Sequence, residues 1–394
     1  VTRPPLLAIV VSHPIQYQAP LWRALTADRR LGIRVLYLSR HGVEERLDPG
    51  FGQRFAWDVD LLEGYESSFI PTLRAGAAPG GFASHLNPGI VTAVRRLAPD
   101  AVLFVGLHNP SSLAALAAAR AARVPALYRA DSSALESRSG WRPRLVASLL
   151  RSISVILTTG TANDLYYDGM GIPLTQRVLA PYSVDNSFFQ ERVMAQAQAR
   201  AELGLSQDDY VVLYAGKLVP WKDPLTVVDA CAEVRCARPL RFLVAGDGVL
   251  RGELEARARE RGVELTTLGF VNQLGMATVY SAADVLVLPS RREPWGLVLN
   301  EAMNYSLPVL ASTQVGAWLD LVHRGSNGEV FTSGSSRELA AQLAMLADDR
   351  ALSTAYGQQS RAIIEGWGLP ATVQGVVEGV QLALRRGDGR CASW

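Results

Sequence analysis

The sequence predicts an α/β protein made of two Rossmann-like, doubly wound domains, each built on a parallel sheet. Short apolar runs recur along the 394 residues, at 6–11, 33–38, 101–105, 126–129, 154–157, 210–214, 241–245, 264–268, 285–288 and 308–310. Ala/Leu/Arg-rich stretches of helical length, such as 113–122, 225–237 and 250–261, lie between them. Strand and helix alternating in this way imply βαβ units whose sheets are covered on both faces. So many runs exceed what one ordinary sheet needs, and the length suits two domains of roughly 100–200 residues each.

Composition narrows the class. With 48% hydrophobic residues the chain can build sizeable cores, which excludes disorder as its main theme. Its 39 basic and 37 acidic residues leave a net charge of only +2. That balance argues against a nucleic-acid binder, which usually carries a basic excess on one face. Cys231, Cys236 and Cys391 are too few and too odd in number for a disulfide framework and read as cytosolic thiols. The run 6–11 is too short for a signal-peptide core or for a membrane span of about 20 residues, so a cytoplasmic location is expected. The short basic segment 140–151 reads as an amphipathic helix packed on a sheet, with peripheral membrane contact as its alternative. Nothing in the sequence bears on the oligomeric state.

The break between domains is expected in 181–205. Pro181-Tyr182-Ser183-Val184-Asp185-Asn186 closes one alternating series, a polar helix-like stretch covers 190–203, and a new buried strand opens at Tyr210. This gives a first domain over 1–188, a second over 189–366 and a terminal segment over 367–394 with a helix at 371–385. The Gly/Pro-rich stretch 75–89 reads as a surface loop inside the first domain. Ligands of open α/β sheets bind outside the carboxyl ends of the strands, so chemistry is expected just after strands, where the two sets of ends face each other.

The most informative stretch is Arg291-Arg292-Glu293-Pro294-Trp295-Gly296-Leu297-Val298-Leu299-Asn300-Glu301, which follows a buried strand. Pro294 and Gly296 make a tight turn, and a helix starts at Leu297. Backbone N–H groups at such a start can hold an anion or sugar hydroxyls. Glu293 and Glu301 can touch different parts of one extended ligand, although taken alone such a pair reads first as a capping acid and a surface acid. Earlier, Gly216, Lys217 and Lys222 follow a strand and precede a helix opening at Pro224. Two flexible cations there suit a diphosphate, although a solvated pair is the ordinary alternative. Gly246-Asp247-Gly248 and Gly269-Phe270-Val271 are two further turns after strands, each weak alone.

These four landmarks, in this order, resemble the donor-binding domain of bacterial glycosyltransferase family 4, a retaining group of the GT-B fold. The resemblance covers about 210–331. It implies that Lys217 and Lys222 hold a nucleotide diphosphate and stabilise it as leaving group. It implies that Glu293, with the N–H groups of Trp295, Gly296 and Leu297, grips the donor sugar, that Glu301 binds the ribose, and that Val271 lies near the base. Gly216, Asp247 and Phe270 complete the implied donor contacts. At Lys217 the family usually shows Arg, so charge is kept and bidentate geometry is lost. The architecture also implies that the terminal helix returns to the first domain.

The first half departs further from the family. Where a Gly-Gly loop is common, this sequence has Ser12-His13-Pro14-Ile15-Gln16, with His13 expected at the donor and Gln16 at the acceptor. A capping or packing histidine is the alternative for His13. Gly106-Leu107-His108-Asn109 and Arg129-Ala130-Asp131-Ser132-Ser133 follow strands. Asp131 is expected to contact the donor sugar and align the reaction, with His108 and Arg129 near the acceptor; a helix N-cap is the other reading of Asp131. His41, His85 and His323 show no companions at ligand spacing, and no cluster suggests a metal.

The expected function is therefore a retaining, metal-independent transfer of a sugar from a nucleotide-diphosphate donor, favouring UDP, to an acceptor hydroxyl on a natural product, glycan or lipid. No cofactor is implied beyond the nucleotide-sugar co-substrate. A nucleotide-sugar epimerase or hydrolase of the same fold, and a non-catalytic sugar-binding protein, are the alternatives.

Overall fold

The computed structural model describes residues 3–48, 53–73, 82–135 and 142–387. The chain divides into two compact units, one of Val1–Arg46, Arg54–Tyr182 and Leu369–Trp394, the other of Leu47–Gln53 and Ser183–Gly368.

The first unit holds a parallel sheet with strand order Ser67–Phe69, Gly32–Tyr37, Leu6–Val11, Ala101–Val105, Ala126–Arg129, Val155–Thr158, Arg177–Leu179. Leu7, Ile9 and Val11 enter one core, Ala8 and Val10 another, which is why this strand is apolar at successive positions. The second unit repeats the plan in the order Glu264–Gly269, Leu240–Ala245, Tyr210–Ala215, Val285–Leu288, Val309–Ser312, Gly328–Phe331. In each sheet the chain order reverses beside the first strand of the unit. That switch point opens a crevice at the carboxyl ends of the strands. It lies between Leu6–Val11 and Ala101–Val105 in one unit and between Tyr210–Ala215 and Val285–Leu288 in the other.

Several expectations are adjusted. The stretch 190–203 is not one helix but two, Asn186–Gln190 and Gln196–Glu202. The Asp185 side chain caps the first, and Ala195 takes an extended conformation before the second. The division falls after Tyr182 rather than at 188, because the first of these helices is tied into the second unit. Asn186 Nδ2 donates to the Ile364 carbonyl at 2.7 Å, and Asn304 Nδ2 donates to Asn186 Oδ1 at 3.0 Å.

The last helix, Leu369–Gly387, belongs to the first unit. Val373, Val376, Val377 and Val380 are buried in the core that contains Leu127 and Leu157. Each contributes about 1.5–3 kcal/mol of burial as an upper figure. Thr372 Oγ1 donates to the Pro181 carbonyl at 2.8 Å. The basic segment forms the helix Arg142–Arg151, with Ala147 and Leu150 buried and Leu145 and Val146 exposed; Gly140 and Trp141 lie outside the described residues, as does Cys391. Among the described residues no helix is long and apolar enough to cross a membrane.

Candidate functional site

In the second unit, Lys217 follows Gly216 at the end of strand Tyr210–Ala215. This turn interlocks with the one carrying Asp247. The Gly216 N–H donates to the Ala245 carbonyl, and the Leu218 N–H to the Asp247 carbonyl, each at 2.9 Å. A Cβ at Gly246 would lie 1.8 Å from the Gly216 oxygen, so only glycine permits the approach. The Asp247 carboxylate accepts from the Gly248 N–H at 2.8 Å and from Arg251 Nη1 at 3.0 Å, and so shapes its own turn. Gly269 turns the chain at φ +70, and half-buried Phe270 and Val271 follow.

The lysine loop is clamped to the next one along. Trp221 offers its carbonyl to the N–H groups of Arg291 and Arg292, at 2.9 and 3.2 Å. Arg291 Nε donates to Asp223 Oδ2 at 2.9 Å, and Asp223 itself sits at φ +52, rare for a residue with a Cβ. The clamp brings the Lys222 ammonium onto Glu293 Oε2 in an ion pair, with Ser290 Oγ 3.4 Å from the same oxygen. Both side chains are mostly withdrawn from solvent, at 23% and 12% exposure.

The Glu293 backbone is fixed in turn by Val315 and its neighbours. Its N–H donates to the Gln314 carbonyl at 3.2 Å, and its carbonyl accepts from Gly316 N–H at 2.9 Å. Trp295 is buried, its indole Nε1 donating to Asn300 Oδ1 at 2.9 Å. Gly296 sits at φ +107, and a Cβ there would meet Leu288 Cδ2 at 2.7 Å. The helix Leu297–Met303 then begins, its first N–H groups without partners inside the helix. Glu301 lies within this helix and accepts a hydrogen bond from the Tyr280 hydroxyl at 2.6 Å. Burial pushes its carboxyl up to about 7, and the Tyr280 bond works against that rise.

In the first unit, His13 follows strand Leu6–Val11, with its Nδ1 2.9 Å from Ser12 Oγ and its ring edge-on to His41 at 5.1 Å. Burial, then the neighbouring His41, His85 and His108, lower it to about 3, so the imidazole is neutral at neutral pH. The fold thus gathers histidines that show no common spacing in the sequence. His108 is exposed, and Asn109 beside it caps the helix Pro110–Ala121. Gln16 Oε1 is buried without a hydrogen-bond partner among the described residues.

Arg129 is buried at the end of its strand, Nη2 donating to the Pro181 carbonyl at 3.0 Å with Tyr182 below the guanidinium. Burial lowers it to about 10, still cationic at neutral pH. Asp131 is exposed on the loop that follows this strand. Asn163 Nδ2 holds that loop through the Ala130 and Ser132 carbonyls. Among the described residues no group of three or more His, Cys, Asp or Glu is arranged to hold a metal ion.

Four residues of this constellation escape the sequence reading: Asp223, Tyr280, Arg291 and Trp367, whose ring stacks on that of Trp295. Arg291 stands inside the quoted motif, with no role assigned to it there.

Residues 195–363 match the family described as glycosyl transferases group 1. A D-inositol 3-phosphate glycosyltransferase of Segniliparus rotundus is 32% identical over 216 residues, covering 53% of this chain and 47% of its own. An alpha-D-kanosaminyltransferase of Streptomyces kanamyceticus is 29% identical over 203 residues, covering 50% and 52%. The chain thus spans about half the length of these curated relatives. Among solved structures, Anabaena HepE in complex with UDP and glucose superposes with a TM-score of 0.74 at 19% identity, over 96% of this chain and 99% of that one. Sucrose-phosphate synthase from Thermosynechococcus elongatus gives 0.73 at 20% identity, over 98% and 100%. At those identities the likeness is one of fold, and the fold is that of GT-B proteins. The second unit of this chain therefore carries, over residues 195–363, a glycosyl transferases group 1 domain.

Proposed function

We propose that this protein is a metal-independent, retaining glycosyltransferase that takes a sugar from a UDP-sugar and passes it to an acceptor hydroxyl. The observation that carries this reading is the Lys222–Glu293 ion pair on loops after two adjacent strands at the switch point of the second sheet, with Glu301 in the helix that follows the second loop. Lys222 offers a cation for a diphosphate, Glu293 a carboxylate for sugar hydroxyls and Glu301 a second carboxylate for a ribose diol. The structural neighbour solved with UDP and glucose supports the choice of donor.

In the proposed reaction, the bond from the anomeric carbon to the diphosphate oxygen breaks as the acceptor oxygen bonds to that carbon. The acceptor proton passes to the departing diphosphate. Lys217 and Lys222 neutralise the charge that develops there, the role a divalent ion plays elsewhere. Glu293 and the N–H groups of Trp295, Gly296 and Leu297 orient the sugar. His13, being neutral, contributes a hydrogen bond rather than a charge. Gln16, His108 and Arg129 are assigned to the acceptor.

The test is a thermal-shift panel of UDP, GDP and dTDP with and without Mg²⁺. A nucleotide at about 100 times its dissociation constant adds about 2.7 kcal/mol and raises the melting temperature. A shift with UDP that is indifferent to Mg²⁺ supports the proposal. A shift only with GDP or dTDP replaces the base, and a shift only with Mg²⁺ overturns metal independence. No shift with any nucleotide overturns the donor assignment.

A further inference from the structure

Trp295 lies in the loop to which donor-sugar recognition is assigned, yet it is only 3% exposed. A buried indole there acts as an anchor for the peptide units on either side of it. Its Nε1 reaches Asn300 within the same segment, and its carbonyl accepts from the Ala317 N–H at 3.0 Å. A further contact comes from far along the chain: the Trp367 ring stacks on it at 5.8 Å between centroids and 16° between planes.

Trp367 stands between Gly366 and Gly368, at the end of the second unit. Its N–H donates to the Ile364 carbonyl at 3.0 Å, closing the helix Arg350–Glu365. At Leu369 the chain passes back into the first unit. The side chain stacked on the sugar loop is thus carried by the segment through which the chain leaves this unit. Gly296 at φ +107 brings no side chain to this part of the turn, so the seating of Trp295 adds to the backbone bonds of Glu293 in setting its geometry.

We infer that Trp367 is a positioning residue, which holds the 295–297 peptide units in register for the donor sugar and ties that register to the course of the crossover segment. The inference rests on the proposed donor role of this loop. It assigns Trp367 to recognition of the sugar and not of the nucleotide, since Lys222 is anchored on Glu293 and Glu301 on Tyr280.

The experiment compares the full-length protein with Trp367→Phe and Trp367→Ala variants, measuring calorimetric affinity for UDP and for UDP-glucose. Stacked indoles also give an exciton-coupled circular dichroism signal, which reports the Trp295–Trp367 pair directly. Trp367→Ala is expected to keep UDP affinity while weakening UDP-glucose by about two- to tenfold, the range of an aromatic pair. Trp367→Phe is expected to lose the exciton signal but restore most of the UDP-glucose affinity. Equal weakening of both ligands, or no change in either, overturns the inference and leaves Trp367 a packing residue. If Trp367→Ala does not fold, Trp367→Leu, which keeps apolar bulk without a ring face, decides: sugar-selective weakening upholds the inference, and equal or no weakening overturns it. Failure of the unaltered protein to bind either ligand instead overturns the donor reading on which the inference rests.

Discussion

Lys222 and Glu293 form an ion pair although they belong to different loops, one after strand Tyr210–Ala215 and one after its parallel neighbour Val285–Leu288. The two residues are assigned different halves of the donor, the cation to the diphosphate and the carboxylate to the sugar. Each neutralises the other in a partly desolvated place. On the proposed assignment, donor binding is expected to exchange that contact for two new ones.

Removing one partner leaves the other charge uncompensated, so each single change should cost more than the pair is worth. Lys222→Ala and Glu293→Gln are each expected to lower stability by about 1–3 kcal/mol. Each should lower donor turnover on the order of 100-fold or more, the effect of losing one electrostatic contact at a reacting centre. The double variant should be markedly less harmful than the sum, by denaturant titration and by steady-state kinetics. Additive effects would mean that the pair is not coupled.

Glu301 brings a pH dependence whose sign is fixed by its raised carboxyl. Its value of about 7 in the folded chain exceeds the ordinary 4.5, so the fold binds the extra proton. That contribution to stability is present below about 4.5 and lost as pH rises through about 7. Nucleotide affinity should run the opposite way, rising through the same window as the carboxylate that accepts from a ribose diol is formed. Tyr280→Phe removes a hydrogen bond that lowers this group, so the affinity profile should move to higher pH. At neutral pH, affinity should fall about fivefold, as for one hydrogen bond. A profile unmoved in Tyr280→Phe would separate Glu301 from the ribose.

Asp223 occupies left-handed backbone at φ +52 while its carboxylate binds Arg291 and Thr226, so conformation and contact pull on one residue. Such strain persists only where the surroundings over-determine it. Asp223→Gly should relieve the backbone but release Arg291; Asp223→Asn should keep much of the local geometry with less charge. Alanine should be worst, at about 1–3 kcal/mol of lost stability, because it has neither the contact nor the tolerance. Chemical denaturation of the three variants should therefore rank Asn above Gly above Ala, and nucleotide affinity should follow the same order. Alanine as stable as asparagine would show that neither strain nor the Arg291 contact matters.

What could be read from the sequence follows from where the information lies. Leu6–Val11, Ala101–Val105, Ala126–Arg129 and Val285–Leu288 begin and end where the apolar runs do, because sheets covered on both faces demand apolar residues at every position. The strands Ser67–Phe69, Arg177–Leu179 and Gly328–Phe331 are short edges with one neighbour each, and carry no such run. Glu293, Lys217 and Lys222 stand out because each lies in a local turn punctuated by Gly and Pro, and Glu301 because it follows such a turn at a fixed spacing from Glu293. Tyr280 and Asp223 do not, because their importance is a contact with a distant segment. The gathering of His13, His41, His85 and His108 is likewise a product of topology, several loops meeting at one end of a sheet.

Close backbone approach offers a test of the loop framework that touches no charged group. A Cβ at Gly316 would lie 1.9 Å from the Pro294 oxygen, and Gly316 also donates to the Glu293 carbonyl. Both neighbouring atoms are backbone, so no side chain can swing aside. Gly316→Ala must push the 293–295 segment away from the 314–317 segment, and with it the carboxylate that meets Lys222. The variant should lose about 1–3 kcal/mol of stability, the range of overpacking. It should lose donor affinity as fully as Glu293→Gln, although residue 316 itself has no group to offer a ligand. Gly325→Ala is the control, since nothing lies within 4 Å of its added Cβ; at φ +72 it bears only the local backbone cost. Loss of stability in both variants with loss of donor affinity in Gly316→Ala alone would place the effect in the loop contact. Equal donor affinity in the two would show that the approach of Gly316 to Pro294 does not govern the site.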